Sequence, residues 1–122
     1  MLDFGEKRKH KRVDLNIPLQ YRQLHGDKKI TGTLTRNLSE GGVKFKTDQF
    51  VSLACRMIIE VVLPEEIKPI KAIAKVAWIK KLSAGDNYEI GNQFLDMTKE
   101  DKHLISSYVR KAAEQGLETP EF

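Results

Sequence analysis

Thr33-Leu34-Thr35-Arg36-Asn37-Leu38-Ser39-Glu40-Gly41-Gly42 is an alternating run that ends in a polar, glycine-paired turn. A period of two marks a strand, and it sets Thr33, Thr35, Asn37 and Ser39 on one face and Leu34 and Leu38 on the other. The polar face ends in groups suited to recognition. The Asn37 amide both donates and accepts, Ser39 adds a hydroxyl, and Gly41 and Gly42 let backbone N–H groups come near a ligand that a Cβ would hold off. Taken by itself, Asn37 to Gly42 reads first as a hairpin turn, because Asn, Ser and Gly are what turns are built from. Recognition of a phosphate or a purine edge is the functional alternative, and its case depends on the rest of the chain.

The flanking segments repeat the strand pattern. Upstream, Leu15, Ile17, Leu19 and Tyr21 alternate with Asn16, Pro18, Gln20 and Arg22, a first strand in which Pro18 points to a sheet edge or a bulge. His25-Gly26-Asp27 is a turn, and Ile30 to Leu38 returns as the second strand. Downstream, Val43-Lys44-Phe45-Lys46 extends the meander with Phe45 inward. Met57, Ile59, Val61 and Leu63 share a face, and Pro64-Glu65-Glu66 stops that strand. From Ile70 to Ile79 the residues Ala72, Ala74, Val76 and Trp78 point one way, the small ones suiting a crowded interior and Trp78 being assigned to the core. Ser83 to Asn87 is the next turn, and Tyr88 to Leu95 closes the sheet with Gly91 inside it, the mark of a bulge or a close backbone approach.

Six short antiparallel strands at this spacing predict an all-β fold, a small closed barrel that hides its strand edges. The last element differs. Thr98 followed by Asp101 is a helix start, and Leu104, Ile105, Tyr108, Val109 and Ala112 recur at helical spacing up to Gly116. The expected division is a flexible basic arm at 1–12, a barrel at 13–96, and a C-terminal helix with its tail at 97–122.

Composition narrows the function classes. At 122 residues the chain fits one domain, and with 40% hydrophobic and 31% charged residues it is globular rather than disordered. The net charge of +4 is unevenly placed: five Lys or Arg fall within the first twelve residues, against Asp3 and Glu6. The basic end is therefore where an anionic partner would bind. Cys55 is the single cysteine, so neither an intramolecular disulfide nor a thiolate metal cluster is expected, and it reads as a small buried filler. His10, His25 and His103 are dispersed and read as surface residues, and no nucleophile with a base stands out, so neither a metal nor catalysis is expected. No apolar signal segment precedes residue 13, and Glu60 interrupts the most apolar run, so a soluble cytoplasmic protein without a membrane span is expected.

Glu6-Lys7-Arg8-Lys9-His10-Lys11-Arg12 places two arginines four apart, and Asn37-Leu38-Ser39-Glu40-Gly41-Gly42 begins 25 positions after Arg12. Arg-x-x-x-Arg followed at this separation by Asn-x-Ser-x-x-Gly resembles the PilZ domain, a family of bacterial receptors for cyclic di-GMP. Val76-Ala77-Trp78 and Gly91-Asn92-Gln93-Phe94 are similar to the family's later strands, so the likeness spans about residues 6 to 110. It implies a six-stranded antiparallel PilZ-type barrel with a C-terminal α-helix. In such domains an arginine arm wraps a ligand resting on the barrel face, which implies a clamp of Arg8 and Arg12 over a platform of Asn37, Ser39, Gly41 and Gly42. Lys7 precedes the first arginine, a place that in relatives influences whether one or two stacked dinucleotides bind, and a basic residue there leans toward two. Arginine suits this task because its planar fork bonds guanine or phosphate while stacking on a purine, where lysine supplies only charge.

The resemblance further implies that ligand binding alters the contact with an unidentified downstream protein. Two alternatives stay open. One is a PilZ-like adaptor that binds no nucleotide. The other is a small basic barrel for single-stranded nucleic acid, which would need aromatics among lysines on an exposed face. Phe45 between Lys44 and Lys46 is the only local hint of that, and its alternation points inward.

Overall fold

Alternation of apolar and polar residues closes one antiparallel sheet on itself. The computed structural model describes residues 12–26, 29–83, 85 and 87–116. Its elements are β1 (Arg12–Val13), β2 (Pro18–Gln23), β3 (Thr31–Ser39), β4 (Gly42–Thr47), β5 (Arg56–Val61), β6 (Ile70–Lys81), β7 (Tyr88–Asp96) and α1 (Lys99–Glu114). Six strands form a ring in the order β2, β3, β4, β7, β6, β5 and back to β2. β1 is an addition outside the ring, pairing Arg12 with Ser39 and Val13 with Leu38. The expected boundary between arm and barrel at 12/13 thus falls inside a strand. Of the expected arm, residues 1–11 lie outside the described residues and Arg12 lies within them.

The barrel interior holds Leu19, Tyr21, Leu38, Phe45, Met57, Ile59, Ala74, Val76 and Ile90, all nearly inaccessible to solvent. Each large side chain among them contributes roughly 1.5 to 3 kcal/mol by leaving water. Helix α1 adds Ile105, Val109 and Ala112 to that core and packs against β1 and β3. Its start is as the sequence predicts: Thr98 caps it, its Oγ1 accepting from the Asp101 N–H at 3.1 Å. The Asp101 carboxylate in turn accepts from the Lys71 N–H at 3.2 Å, tying the first turn to the start of β6. No helix among the described residues is long and apolar enough to cross a membrane.

Two strand expectations change. β2 begins at Pro18, leaving Leu15 and Ile17 ahead of the strand, and it has partners on both sides instead of lying at an edge. Pro18 is tolerated as the first strand residue, where its missing N–H costs little. In β3 the pairing with β4 slips between Thr35 and Asn37. One inserted residue reverses the side-chain phase, so Thr35 faces the interior beside Phe45 while Leu34 is 51% exposed. Thr35 can be buried because its hydroxyl donates to the Leu15 carbonyl and accepts from the Ile17 N–H at 3.0 Å. Past the slip, Leu38 is inward as expected, and Asn37 and Ser39 lie on the outer side.

Candidate functional site

The turn after β3 is shaped by its own serine. Ser39 Oγ accepts from the N–H groups of Gly41 and Gly42, each at 3.1 Å, and donates to the Gly42 carbonyl at 3.4 Å. Those two N–H groups, expected from sequence to face a ligand, are therefore engaged within the turn. The Gly41 carbonyl accepts from the Phe94 N–H at 2.9 Å, which fastens the turn to β7. Gly42 has no room for a side chain, since a Cβ there would run into the carbonyl oxygen of Asn92 and stand 3.1 Å from its carbon. The glycine is needed for close approach of two backbones.

A row of residues crosses the outer face beside this turn. Asn37 pairs with Lys44, Lys44 with Gly91, and Gly91 with Trp78. The β6–β7 ladder slips between Val76 and Trp78, where successive β7 residues Asn92 and Gly91 face β6 residues two apart. Ala72, Ala74 and Val76 point inward as the alternation requires, but the slip carries Trp78 to the outside, where it is 39% exposed. The assignment of Trp78 to the core is corrected accordingly. Its indole lies over Gly91: a Cβ on that glycine would run into Nε1 and Cε2 and stand 2.8 Å from Cζ2. The expected close approach at Gly91 is real, and its partner is a side chain.

These elements enclose a cleft of about 330 Å³ lined by Arg12, Asn37, Ser39, Gly41, Gly42, Lys44, Trp78 and Gln93, among others. Five of the seven residues expected at the site meet here, although Arg12 and Asn37 are far apart in sequence. Pairing of Arg12 with Ser39 in β1 is what delivers the guanidinium to the cleft. Lys7 and Arg8 lie outside the described residues. Lys44 and Trp78 are additions that the sequence reading missed. Gly91 was the available signal for Trp78, because a glycine inside a strand leaves room for a large neighbour across the ladder.

Asn37 and Ser39 are only 5% and 7% exposed, so the polar groups at the cleft floor are largely shielded from bulk water. Behind the floor, Asn92 pairs with Val43 and Val76 on the inner side, and among the described residues neither its Nδ2 nor its Oδ1 has a hydrogen-bond partner. His25 and His103 are exposed, as read from sequence, and Cys55 is half-buried. The outer cleft combines an aromatic plane, two cations and the amides of Asn37 and Gln93. That set accommodates a ligand made of flat heteroaromatic rings and anionic groups.

A family model described as PilZ domain matches residues 6–111. No curated protein matches the chain. Among solved structures it is similar to the Bacillus subtilis inhibitor of motility MotI/DgrA, with 18% identity and a TM-score of 0.78 over 90% of this chain and 53% of that one. It is also similar to the PilZ domain of YcgR from Escherichia coli with c-di-GMP, at 13% identity and a TM-score of 0.70, covering 91% of this chain and 95% of that one. The K. pneumonia MrkH–c-di-GMP complex gives 16% identity and a TM-score of 0.70, with 91% and 54% covered. The chain spans about half the length of MotI/DgrA and of MrkH. At these identities the likeness is one of fold.

Proposed function

The chain belongs to the PilZ domain family, and from that membership and the cleft on its barrel we propose that it is a receptor for cyclic di-GMP. The observation that carries this reading is convergence: Arg12, Asn37, Ser39, Gly41 and Gly42 line one cleft beside an exposed indole. YcgR and MrkH, which share the fold, hold this dinucleotide. Arg12 forks onto a guanine edge or a phosphate, and Arg8 completes the clamp from the arm, with Lys7 beside it. The Asn37 amide pairs with a polar ligand group, Ser39 keeps the Gly41–Gly42 turn in shape, and Trp78 stacks on a base. The domain acts as a binding module rather than a catalyst, and the bound dinucleotide with its ordered arm presents a changed surface to a downstream protein.

Calorimetric titration with cyclic di-GMP, with GTP and a single-stranded oligonucleotide as controls, tests the reading. Micromolar or tighter binding is expected, on the order of 8 kcal/mol. An absence of heat and of any melting shift at ligand concentrations well above micromolar overturns it. One observation favours a second reading. Trp78 stands exposed on a face that also carries Lys44 and, through the Lys46–Glu89–Lys80 row, two further lysines, the aromatic-among-lysines arrangement that a single-strand binder uses. Tighter binding to the oligonucleotide than to cyclic di-GMP would put that reading first.

A further inference from the structure

We propose that Lys44 is a further ligand-binding residue of this cleft, meeting an anionic group of the ligand between Asn37 and Trp78; the inference rests on the receptor reading. Lys44 falls outside both sequence signatures, and what singles it out is register. It pairs with Asn37 on one side and with Gly91 on the other, and Gly91 pairs with Trp78. Paired residues of an antiparallel ladder project to the same face, so Lys44 rises from the cleft floor in line with the amide and the indole. Three strand intervals separate Asn37 from Trp78, a span of about 14 Å at the usual spacing. Lys44 stands one interval in from the Asn37 end. The indole shortens the remaining gap by lying over Gly91.

A flat base stacked on Trp78 and a polar edge held at Asn37 would leave a negative linking group over the strand that carries Lys44. A phosphodiester there is met by a cation on the barrel itself, because Arg12 enters from β1, which lies on the far side of β3 from the strand that carries Lys44. Lys44 is half-buried, so its charge acts across a less screened path than that of a fully exposed lysine. Lys46 provides the internal contrast: it lies two residues along the same strand on the same face, is exposed, and does not line the cleft.

The test compares the parent, Lys44→Gln, Lys44→Arg and Lys46→Gln in titrations with cyclic di-GMP at low and moderate salt, with melting curves for each. The two glutamine variants change the net charge equally, so only a local contact separates them. Lys44→Gln should weaken binding about tenfold or more, with the gap from the parent narrowing as salt rises. Lys46→Gln should stay within twofold of the parent, and Lys44→Arg should retain most of the affinity. Equal losses in the two glutamine variants would assign the effect to the overall field and overturn the contact. A Lys44→Gln protein that binds as the parent does, whether or not its melting point moves, would overturn it as well. A parent that does not bind at all removes the receptor reading and this inference with it, an outcome distinct from a binding parent with an indifferent Lys44.

Discussion

Gly42 and Gly91 occupy the same outer face, both border the cleft, and neither has space for a Cβ, yet they are glycines for opposite reasons. At Gly42 the obstacle is the Asn92 carbonyl, part of the backbone of the neighbouring strand. At Gly91 the obstacle is the Trp78 indole, a side chain on an exposed surface. Backbone in a closed barrel cannot yield without disturbing the ladders on both sides, whereas a half-exposed side chain can leave by changing rotamer. The first glycine is therefore demanded by the fold and the second by the surface that the fold presents.

Replacing each by alanine should separate the two demands. Gly42→Ala carries the largest expected effect, a loss of about 3 kcal/mol in stability, at the upper end of what overpacking costs, because β4 and β7 must part to admit one methyl group. Chemical denaturation measures it, and a loss below about 1 kcal/mol would mean that the β4–β7 contact is softer than the comparison requires. Gly91→Ala should keep the fold nearly intact, within about 1 kcal/mol, while the indole is driven off its seat. Binding of cyclic di-GMP should then weaken by about 1 to 3 kcal/mol, the worth of one base–aromatic stack. Trp78 is the only tryptophan, so intrinsic fluorescence reports its displacement directly. Unchanged affinity with a displaced indole would remove Trp78 from the binding surface. An unfolded variant would erase the distinction between the two glycines.

The same contrast explains what could be read from the sequence. Alternation and turn residues made the six strands and the helix legible, and Phe45, Ala74 and Val76 point inward as read. Leu34, Thr35 and Trp78 were misplaced because each lies beside a ladder slip. A slip reverses the inside–outside phase, and it is set by how a partner strand fits, which no local window contains. That Arg12, Asn37, Ser39, Gly41 and Gly42 would meet in one candidate cleft was legible because residue type and spacing within short motifs announce them. Lys44 and Trp78 were not, since their place in the site arises from register between β3, β4, β7 and β6. The role of Ser39 was legible only in part: its hydroxyl suits recognition, but in the folded chain it accepts from two N–H groups of its own turn.

Asn92 joins the two glycines and sharpens the contrast by the smallest change. Its carbonyl is the obstacle at Gly42, and it is the residue directly after Gly91, while its side chain sits on the inner side with Val43 and Val76. There the amide is buried with both polar atoms unpartnered among the described residues. An unpaired buried amide costs about 1 to 3 kcal/mol, and replacing it by an apolar group of similar branching recovers part of that cost. Asn92→Leu retains the branched outline and leaves the backbone at residue 92 unchanged, so the constraints at Gly42 and Gly91 should persist. A gain of about 1 kcal/mol is expected, seen as a rise in melting temperature of roughly 4 °C. Residue 92 borders the cleft, but its side chain projects inward with Val43 and Val76 and its polar atoms are buried, so affinity for cyclic di-GMP should not move. A gain in stability with unchanged affinity would place the floor of the site under the control of backbone geometry alone. A loss of affinity in a protein that melts higher would show instead that the amide communicates with the cleft through β7, and the division between fold-required and surface-required positions would have to be redrawn to include it.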